Sequence, residues 1–174
     1  MRSVLVAGIG NIFNGDDAFG VEVARRLARR PLPKGTKVID FGIRGIDLTY
    51  ALLDGYAAAV LVDASERGEA PGTVTVIEPA AAEPGALEPG DLMLSPHELD
   101  PAKVLRLVAA LGGTCQRVLL VACEPLTFGG EEGVMGLSEP VREAVDAAVS
   151  TVEGLIAELM EEANAPARYR PTGN

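Results

Sequence analysis

Residues 4–20 read VLVAGIGNIFNGDDAFG, and this stretch decides the fold. Val4 to Ala7 is a short apolar run, punctuated by Gly8 and Gly10 and followed by a polar turn from Asn11. Asp16 and Asp17 stand where a helix would begin, and the pattern from Ala18 to Ala28 continues as helix. The reading is a buried strand, a tight loop that uses glycine backbone freedom, and a helix opened by two carboxylates. Such a loop lies at the carboxyl end of a strand, where open α/β sheets place their ligands. The dinucleotide fingerprint G-x-G-x-x-G fits Gly8 and Gly10 but meets Phe13 at its third glycine position. Two acidic residues at a helix start would also repel a pyrophosphate. Asp16 has two readings, a helix cap or a site residue, and Asp17 gains meaning only with partners.

The 174 residues are enough for one domain with its own core, here expected over 1–163. Apolar residues make up 48% and aromatics only 4%, so the core is expected to consist mainly of Val, Leu, Ile and Ala. The formal net charge of -10 argues against a nucleic-acid or anionic-membrane binder, which needs a basic surface. No apolar run approaches the ~20 residues of a membrane span, and the N-terminal run is too short for a signal peptide. A cytoplasmic monomer is expected. Cys115 and Cys123 flank a predicted strand, and about eight extended residues span roughly 26 Å, beyond disulfide reach. Both read as reduced thiols. The single histidine leaves no His-rich motif, and there is no C-x-x-C.

Further along, strands are predicted at about Ser3–Gly8, Thr36–Phe41, Ala57–Val62, Thr73–Glu78 and Val118–Cys123. The alternating fourth suits a sheet edge. Helices are predicted from Asp17 to Arg30, from Asp47 to about Leu53, to Gly112 from a cap at Ser95 or Asp100, and from Ser138 to about Ala163. The arginines at 25, 26, 29 and 30 read as a solvated helix end. Residues 79–94, rich in Pro, Gly, Ala and Glu, read as a loop, and the tail 164–174 as disordered. Strands alternating with helices give an α/β fold: a mainly parallel twisted sheet of about five strands with helices on both faces. Its carboxyl edge would then carry Asn11, Asp17, Asp40, Asp63 and Glu124.

Asp63 stops an apolar strand in VLVDAS, and His97 lies in a Pro-flanked loop before a helix. Asp63 reads as a strand end accepting backbone N–H groups, or as a ligand. His97 reads as a loop-ordering residue, or as a ligand. Two carboxylates and an imidazole together would suit a first-row divalent metal with open coordination positions.

GIGNIFNGDDAFG (8–20), VLVDAS (60–65) and SPHEL (95–99), in that order, resemble the [NiFe]-hydrogenase maturation endopeptidases. IDFGIRG (39–45), ACEP (122–125) and GLSEPV (136–141) extend the resemblance, which covers roughly residues 2–160. The Pro/Ala/Glu-rich loop before Ser95 departs from the family's pattern. The resemblance implies an endopeptidase that removes a short C-terminal extension from the hydrogenase large-subunit precursor after nickel insertion. It implies metal binding by Asp17, Asp63 and His97, with Asp16 and Asp40 as further acidic site residues. The nickel would come with the substrate, and no organic cofactor is expected. HExxH is absent, unlike in ordinary zinc proteases.

Two mechanisms stay open. The three residues grip the precursor's nickel and position the scissile bond, or metal held there acts as a Lewis acid with Asp16 or Asp40 as general base. Alternatives of other classes are a nickel carrier or sensor without peptidase activity, and a nucleotide-binding enzyme. The geometric expectation is that Asp17, Asp63 and His97 surround one cleft. Asp16 or Asp40 would lie close behind, and Glu98 would turn away to cap its helix.

Overall fold

The computed structural model describes residues 3–79, 101–113 and 117–165. Its strands are β1 (Val4–Ile9), β2 (Thr36–Gly42), β3 (Ala58–Ala64), β4 (Val74–Ile77) and β5 (Arg117–Cys123). Its helices are α1 (Phe19–Leu27), α2 (Gly45–Leu53), α3 (Pro101–Ala110) and α4 (Glu139–Asn164). A 3-10 turn, Gly15–Ala18, precedes α1. The five strands lie in the order β2-β1-β3-β5-β4. All pairs are parallel except β4, which runs antiparallel to β5 at the edge.

β1 and β3 are buried along their whole length because helices cover both faces. Side-chain alternation divides their residues between two cores. Val4, Val6, Val60 and Val62 pack with Phe19 and Val23 of α1 and with Val145, Val149 and Val152 of α4. Leu5, Ala7, Ile9 and Leu61 face the other way, with Leu48 and Leu52 of α2 and Val104 and Val108 of α3. The three-layer α/β architecture thus follows the sequence expectation.

From β1 the chain passes to β2 on one side, and it later returns to β3 on the other. The gap between the carboxyl ends of β1 and β3 is therefore the topological switch point, where sheets of this type bind ligands.

Several boundaries differ from the sequence reading, each for a local reason. Helix α1 starts two residues after Asp17, and no side chain caps it. Asp16 and Asp17 belong to the 3-10 turn, and their carboxylates bond elsewhere. β3 runs on through Asp63 and Ala64, which pair with Ala122 and Cys123, so Asp63 lies within the strand. Helix α2 begins at Gly45, and Asp47 sits inside its first turn, 3.3 Å from Arg44 Nη1, instead of capping it. Ser138 is the N-cap residue of α4, but its hydroxyl makes no cap bond. The arginines at the end of α1 do more than meet solvent. Arg26 pairs with Asp146 at 2.7 Å and Arg30 with Glu153 at 2.7 Å, linking α1 to α4. No helix among the described residues is long and apolar enough to cross a membrane.

Candidate active site at the sheet switch point

The loop after β1 is built on glycine. Gly10 has φ +129°, a value that L side chains rarely adopt, and its N–H donates to the Gly42 carbonyl at 3.0 Å. A Cβ placed on Gly10 would lie 1.7 Å from the backbone oxygen of Asp17. The loop therefore folds back onto the 3-10 turn with no room for a side chain. A bond from the Asn11 N–H to Asp17 Oδ2, 2.9 Å long, closes it. Gly20 performs the matching task in α1, where a Cβ would lie 2.0 Å from the Val62 oxygen and 2.4 Å from the Ile9 oxygen. The first turn of α1 thus rests directly on the ends of β1 and β3. This contact explains the spacing of Asp17 and Gly20, because the glycine lets the helix descend and the aspartate stays above the strand ends.

Asp63 follows Val62, which pairs with Gly8, and Asp40 of β2 pairs with the same glycine from the other side. With strands ~4.8 Å apart, Asp40 and Asp63 flank the end of β1 at roughly 10 Å. Asp63 is nearly buried, and its Oδ1 accepts the Ala64 N–H at 2.9 Å. Asp40 stands at the rim, its side chain 35% exposed, and its Oδ2 accepts Arg25 Nε at 3.2 Å. Its main-chain oxygen accepts a bond from the Arg44 guanidinium, whose Nε also donates to the Phe41 carbonyl. The fold thus brings Asp17, Asp40 and Asp63 to one edge of the sheet.

His97 lies outside the described residues, as do Ser95, Glu98, Asp100 and Cys115. Among the described residues, no group of three or more His, Cys, Asp or Glu side chains is placed to hold a metal. Asp17 and Asp63 supply oxygen donors only, so the mixed oxygen–nitrogen set requires His97.

Asp16 has a different environment. It is fully buried. It accepts the N–H groups of Leu126 (2.8 Å), Thr127 (3.1 Å) and Ser138 (2.6 Å), and also the Ser138 hydroxyl at 2.8 Å. Burial works against its charge, but the bonds from Ser138, Thr127 and Leu126 outweigh it and hold the carboxyl below its ordinary value of 3.8. Asp16 therefore ties the glycine-rich loop after β5, and the start of α4, to the turn that carries Asp17. Parallel bonds reinforce the tie: Gly15 N–H donates to the Val134 carbonyl and Val134 N–H to the Phe13 carbonyl.

Asp16→Ala is expected to cost about 2–4 kcal/mol, because buried N–H donors lose their acceptor. The linkage has a definite sign. A carboxyl whose folded pKa is depressed stabilises the fold above its unfolded value, and that contribution is lost as pH falls through the folded pKa. The wild-type protein should therefore lose stability more steeply below about pH 4 than the Ala variant does, a difference that urea titrations over about pH 2.5–6 would read.

Two further residues of this edge are structural. Glu124 is nearly buried and accepts the N–H groups of Arg67 at 2.7 Å and Gly68 at 3.3 Å, fixing the loop after β3. Cys123 is a buried free thiol, and burial together with the charges of Asp16 and Glu124 pushes its pKa up to about 12. A thiol in that state is no nucleophile at neutral pH. The long-range bonds of Asp16 left no signal in the sequence except the Asp-Asp pair and a Ser before a helix.

Residues 21–155 match the family model described as hydrogenase maturation protease. A putative hydrogenase maturation protease of Methanocaldococcus jannaschii is 30% identical over 156 residues, covering 89% of this chain and 97% of its own. The hydrogenase 2 maturation protease of Escherichia coli is 28% identical, covering 92% of this chain and 94% of its own. A solved hydrogenase 2 maturation peptidase from a Thaumarchaeota archaeon superposes with TM-score 0.67 at 28% identity, over 90% of this chain and 99% of that one. The hydrogenase maturating endopeptidase of E. coli shares the fold, with TM-score 0.70 at 23% identity, over 91% of this chain and 93% of that one. Matched by the family model over most of its length, and 30% identical to a relative of which it covers 97%, the chain belongs to the hydrogenase maturation protease family.

Proposed function

We propose that this protein removes a C-terminal extension from the precursor of a [NiFe]-hydrogenase large subunit after nickel insertion. In this reading Asp17, Asp63 and His97 engage the nickel that the precursor carries. The observation that supports it best is the placement of Asp17 and Asp63 at the switch point, on elements distant in sequence, in a chain of the maturation protease family. Three side chains leave coordination positions for groups of the substrate, so the metal can dock the precursor and hold the scissile carbonyl beside the edge. Asp16 is buried and its oxygens are taken by donated bonds, so in this reading it holds the turn in place. Asp40, partly exposed at the rim and paired there with Arg25, is in this reading the carboxylate that accepts a proton from the attacking water. Hydrolysis consumes one water per peptide bond and releases the extension as a free peptide.

Nickel-loaded precursor, incubated with the protein, is expected to show a single mass loss equal to the extension in intact mass spectrometry. Precursor without nickel, under strict chelation, is expected to stay intact. Equal cleavage of the two would remove nickel from the mechanism. Transfer of nickel with no mass loss would instead favour a carrier.

A further inference from the structure

A groove of about 410 Å³ runs between α1 and the loop that leads into α4. Its volume falls within the ~300–1,000 Å³ range of binding pockets. Ile12, Val21, Met135 and Leu137 supply its apolar lining. Met135 is 72% exposed, and the neighbouring Phe13 is 60% exposed. Two large apolar side chains left in water beside a groove are suited to contact with a partner. The groove borders elements that frame the site described above. Ile12 belongs to the loop that carries Asp17, and the opposite wall is stitched to that loop through Gly15, Val134 and Phe13. Arg25 lines the groove and reaches Asp40 at the rim of the site.

The charges indicate what fits. Three arginines line the groove against one carboxylate, Glu22, in a chain whose formal net charge is -10. Arg25 is paired with Asp40, and Arg26 with Glu22 and Asp146. Arg142, in the first turns of α4, has no carboxylate within ion-pair distance among the described residues. Among the described residues, the lining therefore has apolar walls and one guanidinium with no carboxylate partner, which complements an extended segment with an apolar side chain and an acidic side chain close by.

Resting on the processing role proposed above, we infer that this groove seats the precursor segment next to its scissile bond, an apolar residue against Met135 and Leu137 and an acidic residue at Arg142. The remaining surface of so acidic a chain repels such a segment, so Arg142 selects the register in which it lies.

The test uses nickel-loaded precursor and the intact protein. Arg142→Glu is expected to raise KM for the precursor about tenfold, with the loss falling on KM and not on kcat. Each acidic residue of the precursor within reach of the scissile bond, on either side of it, is then changed to Lys in turn, and one of these precursors is expected to recover most of the lost KM with Arg142→Glu. Met135→Ser, at an exposed position, is expected to raise KM several-fold with the same split. Both sites lie at the surface, so the thermal melt should stay that of wild type; if Arg142→Glu melts early, Met135→Ser carries the test. Wild-type KM in both variants, or rescue by no Lys precursor, would overturn the groove assignment while wild-type protein still cuts. Failure of the wild-type protein to cut nickel-loaded precursor is a different result, which overturns the processing role and this inference with it.

Discussion

Gly10→Val is expected to yield a protein that no longer melts cooperatively near the wild-type temperature, a loss of at least about 4 kcal/mol. Two independent costs combine. The backbone at Gly10 has φ +129°, and a β-branched residue there is strained whatever space surrounds it. The space is also absent, since the first side-chain carbon would stand 1.7 Å from the Asp17 oxygen. Relief requires the 3-10 turn to lift off the loop, which breaks the bond from Asn11 to Asp17 and pulls Asp16 from its donors. Gly10→Ala is expected to follow the same course, because the clash begins at Cβ. Differential scanning calorimetry on both variants would measure it. A wild-type melt in either would mean that the loop has another conformation of nearly equal energy.

The same residues show what the sequence could tell. The apolar runs of β1 and β3 revealed two strands covered on both faces, and from these followed a parallel sheet and the carboxyl edge as the place to look. Gly10 was legible as a tight position because the local pattern of strand, glycine and polar turn demands one. Asp40 and Asp63 were legible as edge residues because each closes an apolar run. Asp16 was not legible as a tie. Its donors, Leu126, Thr127 and Ser138, are more than a hundred residues away, and no local pattern records a bond across that distance. The start of α1 was misplaced for the same reason, since a carboxylate committed to another loop is lost as a cap. No local pattern singles out Arg142; only the packing of α4 against α1 makes it a wall of a groove. His97 rests on the resemblance of SPHEL alone.

Asp17→Asn and Asp63→Asn are each expected to lower processing of nickel-loaded precursor by at least about 100-fold while the melt stays close to that of wild type. Asparagine is the informative replacement because it has the shape of aspartate and keeps one oxygen acceptor. In Asp63→Asn the amide oxygen can still accept the Ala64 N–H, and in Asp17→Asn it can still accept the Asn11 N–H, so the local backbone bonds survive. The negative charge is lost, and with it the attraction of a carboxylate for a divalent cation. Alanine at either position would leave a donor unpaired and mix a structural cost with the functional one. His97→Ala is expected to match the two amide variants, since an incomplete ligand set should fail in the same way whichever member is missing. The double variant Asp17→Asn/Asp63→Asn is expected to be little worse than either single variant, because residues that act on one metal lose their joint function with the first change. Single-turnover assays on precursor, paired with calorimetry, would decide the matter. Processing near the wild-type rate in Asp63→Asn would detach Asp63 from the metal and leave it a strand residue that accepts its neighbour's N–H. Multiplying losses in the double variant would mean that the two carboxylates serve separate steps.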